Sequence, residues 1–212
     1  MIVALDGPSA SGKGTLARRL ALSLGLAYLD TGQIYRAVAS RVLAAGQDPA
    51  EPRAGLAAAK GLTADDLTRP DLREERVSQA ASIVAAIPVV REALLSFQRD
   101  FARHPPAGNG GAVLDGRDIG TVVCPWAEAK IFITATLEIR ARRRHQELLS
   151  QGADSIYARV LEDMKERDRR DESRAVAPSR PAPDALVLDT STLDSDEVFR
   201  LALAFVKERC GL

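Results

Sequence analysis

Residues 2–15 read IVALDGPSASGKGT, and this stretch decides the fold that the chain can adopt. The apolar run over residues 2–5 predicts a short buried strand, which ends where Asp6 and Gly7 turn the chain. Residues 7–15 then fit the pattern G-x-x-x-x-G-K. In that pattern glycines let backbone N–H groups surround a phosphate, and the following helix adds the positive end of its dipole. Strand, glycine-rich turn and helix together predict a phosphate-binding loop.

The loop predicts binding of a nucleoside triphosphate, with Lys13 reaching the β- and γ-phosphates. One position departs from the usual pattern, because Gly14 follows Lys13 where Ser or Thr is expected, and the hydroxyl comes one place later at Thr15. We therefore expect Mg²⁺ to be held mostly by phosphates and water, and we assign no protein metal ligand. The predicted triphosphate-binding residues are Gly7, Pro8, Ser9, Ala10, Ser11, Gly12, Lys13, Gly14 and Thr15.

Short apolar runs alternate with helical patterns along the rest of the chain. This alternation predicts an α/β fold, a P-loop five-stranded parallel sheet with helices on both faces. The strands are expected at residues 2–5, 26–29, 112–114, 130–134 and 185–188. The stretch between the second and third strands is purely helical and too long for one crossover. We expect one domain over residues 1–212, with a mostly helical subdomain at 31–101.

Composition excludes several other classes of protein. Lys plus Arg and Asp plus Glu each number 29, so the basic excess typical of a sequence-independent nucleic-acid binder is absent. Two distant cysteines, Cys124 and Cys210, predict neither a disulfide framework nor a zinc site. There is no apolar stretch of 18 residues and no basic leader at the N-terminus, so we expect a cytoplasmic monomer without membrane or nucleic-acid partners. Common GTPases recognise guanine through the motif Asn-Lys-x-Asp. The single Asn of this sequence, Asn109, is followed by Gly, so that motif is missing.

Aspartates and arginines cluster where the predicted strands end. Ligands of open α/β sheets bind beyond the carboxyl ends of strands, and phosphate oxygens favour the forked guanidinium of Arg. The segments 30–36, 115–121 and 165–174 supply such residues. For Arg36 and for the third segment, a solvated helix surface is the alternative interpretation. The run Arg140–Arg144 lies within a predicted helix, and we expect surface charge there.

The motifs in their order resemble those of bacterial cytidylate kinases over nearly the whole chain. The matching stretches are GPSASGKGT, LDTGQIYR, QAASIVAAIPVVREALL, DGRDIGTVV and KERDRRDESRAVAP. The resemblance implies transfer of the γ-phosphate of ATP to CMP or dCMP, with Mg²⁺ bound to ATP as cofactor. It also implies that residues 1–212 form one kinase domain, with a core sheet, a monophosphate-binding subdomain at 31–101 and a short lid at 150–174.

Site residues carry over at the matching positions. The resemblance implies that Ser82 and Arg91, with Asp118 nearby, contact cytosine, and that Thr31 stands where the family commonly has Ser. The acceptor phosphate is assigned to Arg36, Arg117 and Arg174, and the sugar to Arg167 and Asp171. Stabilisation of the transferring phosphoryl group is assigned to Lys13, Arg117, Arg174 and Arg170.

Residues 46–77 depart from the family, because many members carry a longer, β-rich insert at this place. Here the stretch is short and rich in alanine and charge, so we expect it to be mostly helical. Two other functions remain open: a kinase of a different small acceptor, and a nucleotide-sensing module without transfer activity.

Overall fold

A computed structural model describes residues 1–106 and 108–212. Five strands form one sheet in the order β2-β3-β1-β4-β5. The strands are β1 (Ile2–Asp6), β2 (Ala27–Asp30), β3 (Ala112–Gly116), β4 (Ala129–Thr134) and β5 (Leu186–Asp189). The helices are α1 (Lys13–Leu24), α2 (Thr31–Ala44), α3 (Pro52–Lys60), α4 (Glu75–Val84), α5 (Pro88–Arg103), α6 (Leu137–Ser150), α7 (Tyr157–Glu172) and α8 (Ser195–Cys210). The α/β class and the five-stranded parallel sheet predicted from the sequence are thus confirmed.

Strand β1 lies at the centre of the sheet. It pairs in parallel with β3 and β4, and Asp6 stands opposite Gly116 and Phe132. All residues of β1 and β3 are buried, which explains their continuous apolar character, since a parallel strand is covered on both faces. The carboxyl ends of these strands therefore meet at one edge.

Helix α1 begins at Lys13 and ends at Leu24, where Gly25 caps it in the left-handed conformation at φ 64°. Its residues Leu16 and Leu20 are buried in a cluster with β-strand side chains and with Val198, Ala202 and Val206 of α8. A capping box begins α8, because Asp194 accepts from two amides of the first turn while the Glu197 side chain accepts from the Asp194 amide.

The chain divides into two compact units, Met1–Leu29 with Ala102–Leu212, and Asp30–Phe101. The second unit contains α2, α3, α4 and most of α5, together with two 3₁₀ turns at Asp65–Thr68 and Pro70–Arg73. The shortened stretch is therefore helical, as predicted. Gly55 permits a close approach of α3 to α5, since a Cβ there would lie 2.9 Å from Val90 Cγ2.

Within the described residues, no helix alone has the length and apolar character needed to cross a bilayer. Helices α4 and α5 meet that test only as a pair, bent by 98°, and only by length and composition.

Candidate active site

The phosphate loop is shaped by backbone conformations that favour glycine. Gly7 has φ 148° and Gly12 has φ 94°, and Ala10 also lies in the left-handed region at 56°. A Cβ on Gly7 would lie 2.0 Å from the carbonyl oxygen of Ile133 in β4, so no other residue fits at the start of the loop. Lys13 Nζ donates to the carbonyl oxygen of Pro8 at 3.2 Å and so reaches back across the loop.

Helix α6 supports the phosphate loop through a buried arginine. Arg140 donates to Ala135 O at 2.9 Å, to Ser9 O in the loop at 3.4 Å, and to Asp168 Oδ2 on α7 at 2.7 Å. The prediction of surface charge for Arg140–Arg144 is therefore wrong for Arg140, of which 5 % is exposed. The signal that could have revealed it is helical spacing, since Arg140 stands beside Ala141 on the apolar face of α6.

A second arginine of α6 braces the loop through the segment after β5. Arg143 donates to the carbonyl oxygen of Thr190 at 2.7 Å and to its hydroxyl at 3.0 Å. The Thr190 hydroxyl in turn lies 3.1 Å from the carbonyl oxygen of Ser11. Sequence reasoning missed Thr190, which carries no motif of its own.

Asp115 at the end of β3 lies beside the start of α1. Its Oδ2 accepts from the hydroxyl of Tyr28 at 3.2 Å, and a Cβ on Gly14 would lie 3.1 Å from the same oxygen. A larger residue at position 14 would crowd this carboxylate. Ser or Thr, which the usual pattern has at this position, would therefore have less room than Gly14.

Asp6 lies buried between the phosphate loop and the segment that follows β3. Its two carboxylate oxygens accept from the amides of Ile119 and Gly120 at 2.7 and 2.8 Å. These amides begin a single π-helical turn, Ile119–Val123. Burial raises the pKa of Asp6 to about 7, against the lowering effect of the two amides.

Predicted acceptor-phosphate arginines meet around one carboxylate on α7. Asp171 is buried, and it receives Arg117 Nε at 3.1 Å and also the guanidinium of Arg174. Burial alone would raise the pKa of Asp171, but Arg117, Arg174 and Arg167 together hold it below its ordinary value. Arg170 points to a different partner, since it pairs with Glu166 on α7 at 3.0 Å.

In the second unit, the start of α2 carries an ion pair. Asp30 accepts from the amide of Gln33 at 3.0 Å, and its other oxygen pairs with Arg36 at 2.7 Å. Asp30 thus caps the start of α2. Thr31 is the first residue of α2 and is buried.

The other predicted contact residues of this unit lie on α4 and α5. Ser82 and Arg91 are both buried, with 2 % and 8 % exposed. Arg91 donates to the carbonyl oxygen of Ala85 at 3.1 Å, and its guanidinium lies 5.7 Å from the ring centre of Tyr35. Tyr35 was not predicted as a site residue, although it lies within the quoted motif LDTGQIYR.

Metal-ligand clusters are not found among residues 1–106 and 108–212: no three His, Cys, Asp or Glu side chains are placed to share an ion.

The matching family model and the relatives of high identity are all described as cytidylate kinases. The family model described as Cytidylate kinase matches residues 3–208. A cytidylate kinase of Paramagnetospirillum magneticum is 60 % identical over 205 residues, which are 97 % of either chain. Another, of Rhodospirillum rubrum, is 59 % identical over 203 residues, covering 96 % of this chain and 95 % of the relative.

Solved structures with a similar fold are more distant in sequence. An uncharacterized protein from Eubacterium ventriosum has a TM-score of 0.56 at 16 % identity, with 98 % of either chain covered. A gluconokinase from Sinorhizobium meliloti has a TM-score of 0.51 at 16 % identity, covering 98 % of this chain and 91 % of that one. These two likenesses concern the fold.

Proposed function

The chain belongs to the cytidylate kinase family, and from this premise we propose that it transfers the γ-phosphate of ATP to CMP or dCMP. The products are ADP and CDP or dCDP. The observation that carries the proposal is the pairing, within one unit, of a phosphate loop with an arginine cluster at Asp171. A module that only senses ATP has no need of the second group.

The donor side consists of the phosphate loop and the first turn of α1. Lys13 would exchange its bond to Pro8 O for the β- and γ-phosphate oxygens. The carbonyl contacts of Arg140 and of Thr190 hold Ser9 and Ser11 in place while the loop amides bind the anion. Preorganised donors of this kind need little rearrangement when charge moves in the reaction.

The acceptor phosphate is assigned to Arg117 and Arg174 of the first unit and to Arg36 of the second. Each of these guanidinium groups is already held by a carboxylate, Asp171 or Asp30. A guanidinium group that is already held in place loses less conformational freedom on binding a phosphate than a mobile one would. Arg167 and Asp171 are assigned to the sugar.

The base is assigned to Ser82 and Arg91, with Asp118. Cytosine presents an amino donor beside two acceptors, so a hydroxyl or carboxylate can accept from N4 while Arg91 donates to O2 and N3. Uracil has a carbonyl in place of the amino group and would leave a buried acceptor unpaired. We therefore expect CMP to be preferred over UMP.

The chemical step needs positioning and charge stabilisation more than a base, because the attacking phosphate oxygen is already anionic near neutral pH. The negative charge on the phosphoryl group during its transfer would be stabilised by Lys13, Arg117, Arg174 and Arg170. Magnesium supplies charge neutralisation when it is bound with ATP.

An acceptor panel tests the proposal. ADP release is measured with ATP and each of CMP, dCMP, UMP, AMP and a sugar acceptor. The proposal expects turnover with CMP or dCMP well above that with the others. A different preferred acceptor would assign the enzyme another substrate, and ATP binding without turnover on any acceptor would favour a sensing module.

A further inference from the structure

The turn Ile119–Val123 lacks the cap that its own sequence would supply. Helical turns begin with backbone N–H groups that have no partner within the turn, and an Asp at the preceding position commonly accepts from them. Asp118 occupies that position, at φ −145°, but its side chain makes no capping bond. The capping carboxylate is Asp6 instead, which lies 113 residues away in sequence.

The geometry of this substitute cap is tight. The oxygens of Asp6 lie 2.7 Å from the Ile119 amide and 2.8 Å from the Gly120 amide, and only 4 % of the residue is exposed. A Cβ on Gly120 would lie 3.4 Å from Asp6 Oδ2 and 3.2 Å from Lys130 Cδ, so the turn is packed closely onto the carboxylate.

Asp6 stands at the point from which two binding segments leave the sheet. On its own strand the next residue is Gly7, the start of the phosphate loop. On β3 its parallel partner is Gly116, and Arg117 and Asp118 follow directly. A displacement of the turn that Asp6 caps would therefore displace the side chains at 117 and 118 first.

We infer that Asp6 is a positioning residue, which holds the Ile119–Val123 turn and through it the acceptor-binding side chains of Arg117 and Asp118. The inference rests on the proposed function for the roles of those two residues.

The substitution Asp6→Asn isolates this role. The amide keeps the size of the carboxylate and one acceptor, but its NH₂ group would face the second backbone N–H. Asp194→Asn is the control at a second capping aspartate. There Oδ1 alone accepts from the amides of Asp196 and Glu197, both at 2.8 Å, so asparagine can keep both bonds at the start of α8.

Both variants are compared with the wild type in kcat and KM for CMP, UMP and ATP. For Asp6→Asn we expect kcat/KM for CMP to fall about tenfold and the CMP-to-UMP ratio to fall about fivefold, with KM for ATP changed less than about twofold. Asp194→Asn should keep the wild-type ratio. An unchanged ratio in folded Asp6→Asn, or equal losses for both acceptors, would overturn the inference, because a merely structural role predicts that outcome.

Two further measurements cover the cases in which Asp6→Asn does not fold or the wild type does not phosphorylate CMP. If Asp6→Asn does not fold, Gly120→Val takes its place, because its Cβ would lie 3.2 Å from Lys130 Cδ and 3.4 Å from Asp6 Oδ2, and its two methyl groups would extend beyond that contact. A lowered CMP-to-UMP ratio then supports the inference and an unchanged ratio overturns it. If the wild type does not phosphorylate CMP, the proposed function fails and amide exchange decides the role of Asp6. Exchange at Ile119 and Gly120 should then be at least about tenfold faster in the variant than in wild type, and equal exchange overturns the inference.

Discussion

At the scale of single residues, glycine and arginine carry most of the specific information. Gly7 is required because its Cβ position falls 2.0 Å from a backbone oxygen of β4. Arg117 and Arg174 converge on Asp171, which holds them as a pair before any substrate binds. The roles of these residues on phosphate stay predictions, and two substitutions test them.

Lys13→Ala should lower kcat at least about 10²-fold, because the variant loses the cation assigned to the β- and γ-phosphates. The fold should be retained, since Lys13 is half-buried and its bond to Pro8 O lies within the loop. Steady-state ADP release and circular dichroism check both statements. Lys207→Ala, in the last turn of α8, is the control and should keep wild-type turnover.

Arg174→Ala should also lose at least about 10²-fold in rate, with the larger part in the use of CMP, not of ATP. Asp171 would keep Arg117 as a partner, so the buried carboxylate is not left alone. Arg180→Ala, at an exposed position, serves as control. Turnover like that of the wild type in a folded Arg174→Ala protein would remove this residue from the mechanism.

At the scale of elements, local patterns predicted more than long-range ones. All five strands and the bounds of α1 follow from apolar runs, leucine spacing and Gly25, which are local signals. The burial of Arg140 and the capping of the turn at Ile119 by Asp6 could not be predicted in this way. Both depend on partners far away in sequence, Ser9 at 131 residues and Asp6 at 113 residues.

Arg140→Met should destabilise the first unit by about 3–5 kcal/mol, the usual cost of removing one partner of a buried ion pair. Its side chain and that of Asp168 are 7 % and 15 % exposed, so the remaining carboxylate would be poorly solvated. Urea denaturation measures the change. Arg142→Met, at an exposed position of the same helix, should change stability by less than about 0.5 kcal/mol, and similar losses in both variants would contradict the role of Arg140.

At the scale of the whole molecule, two buried carboxyls respond to pH in opposite directions. The pKa of Asp6 is raised from 3.8 to about 7 by burial, whereas the pKa of Asp171 is lowered by its arginines despite its burial. The stability due to Asp171 is present above its unfolded pKa and is lost only as the solution becomes more acidic than that. Protonated Asp6 contributes its stability fully below pH 3.8, and this contribution is lost as the pH rises through about 7.

The stability of the wild type relative to Asp6→Asn should therefore fall by about 3 kcal/mol between pH 5 and pH 8, since each pKa unit corresponds to about 1.4 kcal/mol. The asparagine stays neutral and cannot show this loss. Urea denaturation of both proteins at the two pH values gives the difference. A difference that is the same at both would mean that Asp6 titrates near its ordinary value.

The architecture of the sheet and the family were predictable from the sequence, because the strand–loop–helix motif and the later motifs are contiguous. The residues that hold the site in place were less predictable from the sequence. Thr190, Tyr35 and Arg140 belong to no phosphate pattern, and their contacts exist only in the folded chain.

The central claim, transfer of a phosphoryl group to a cytidine monophosphate, is tested most directly by following the phosphorus resonances of ATP and CMP mixed with the enzyme and Mg²⁺. If this transfer occurs, CDP and ADP should appear in equal amounts while inorganic phosphate stays near its starting level. ATP left unchanged in the presence of CMP, or ATP consumed with release of inorganic phosphate and no CDP, would contradict it.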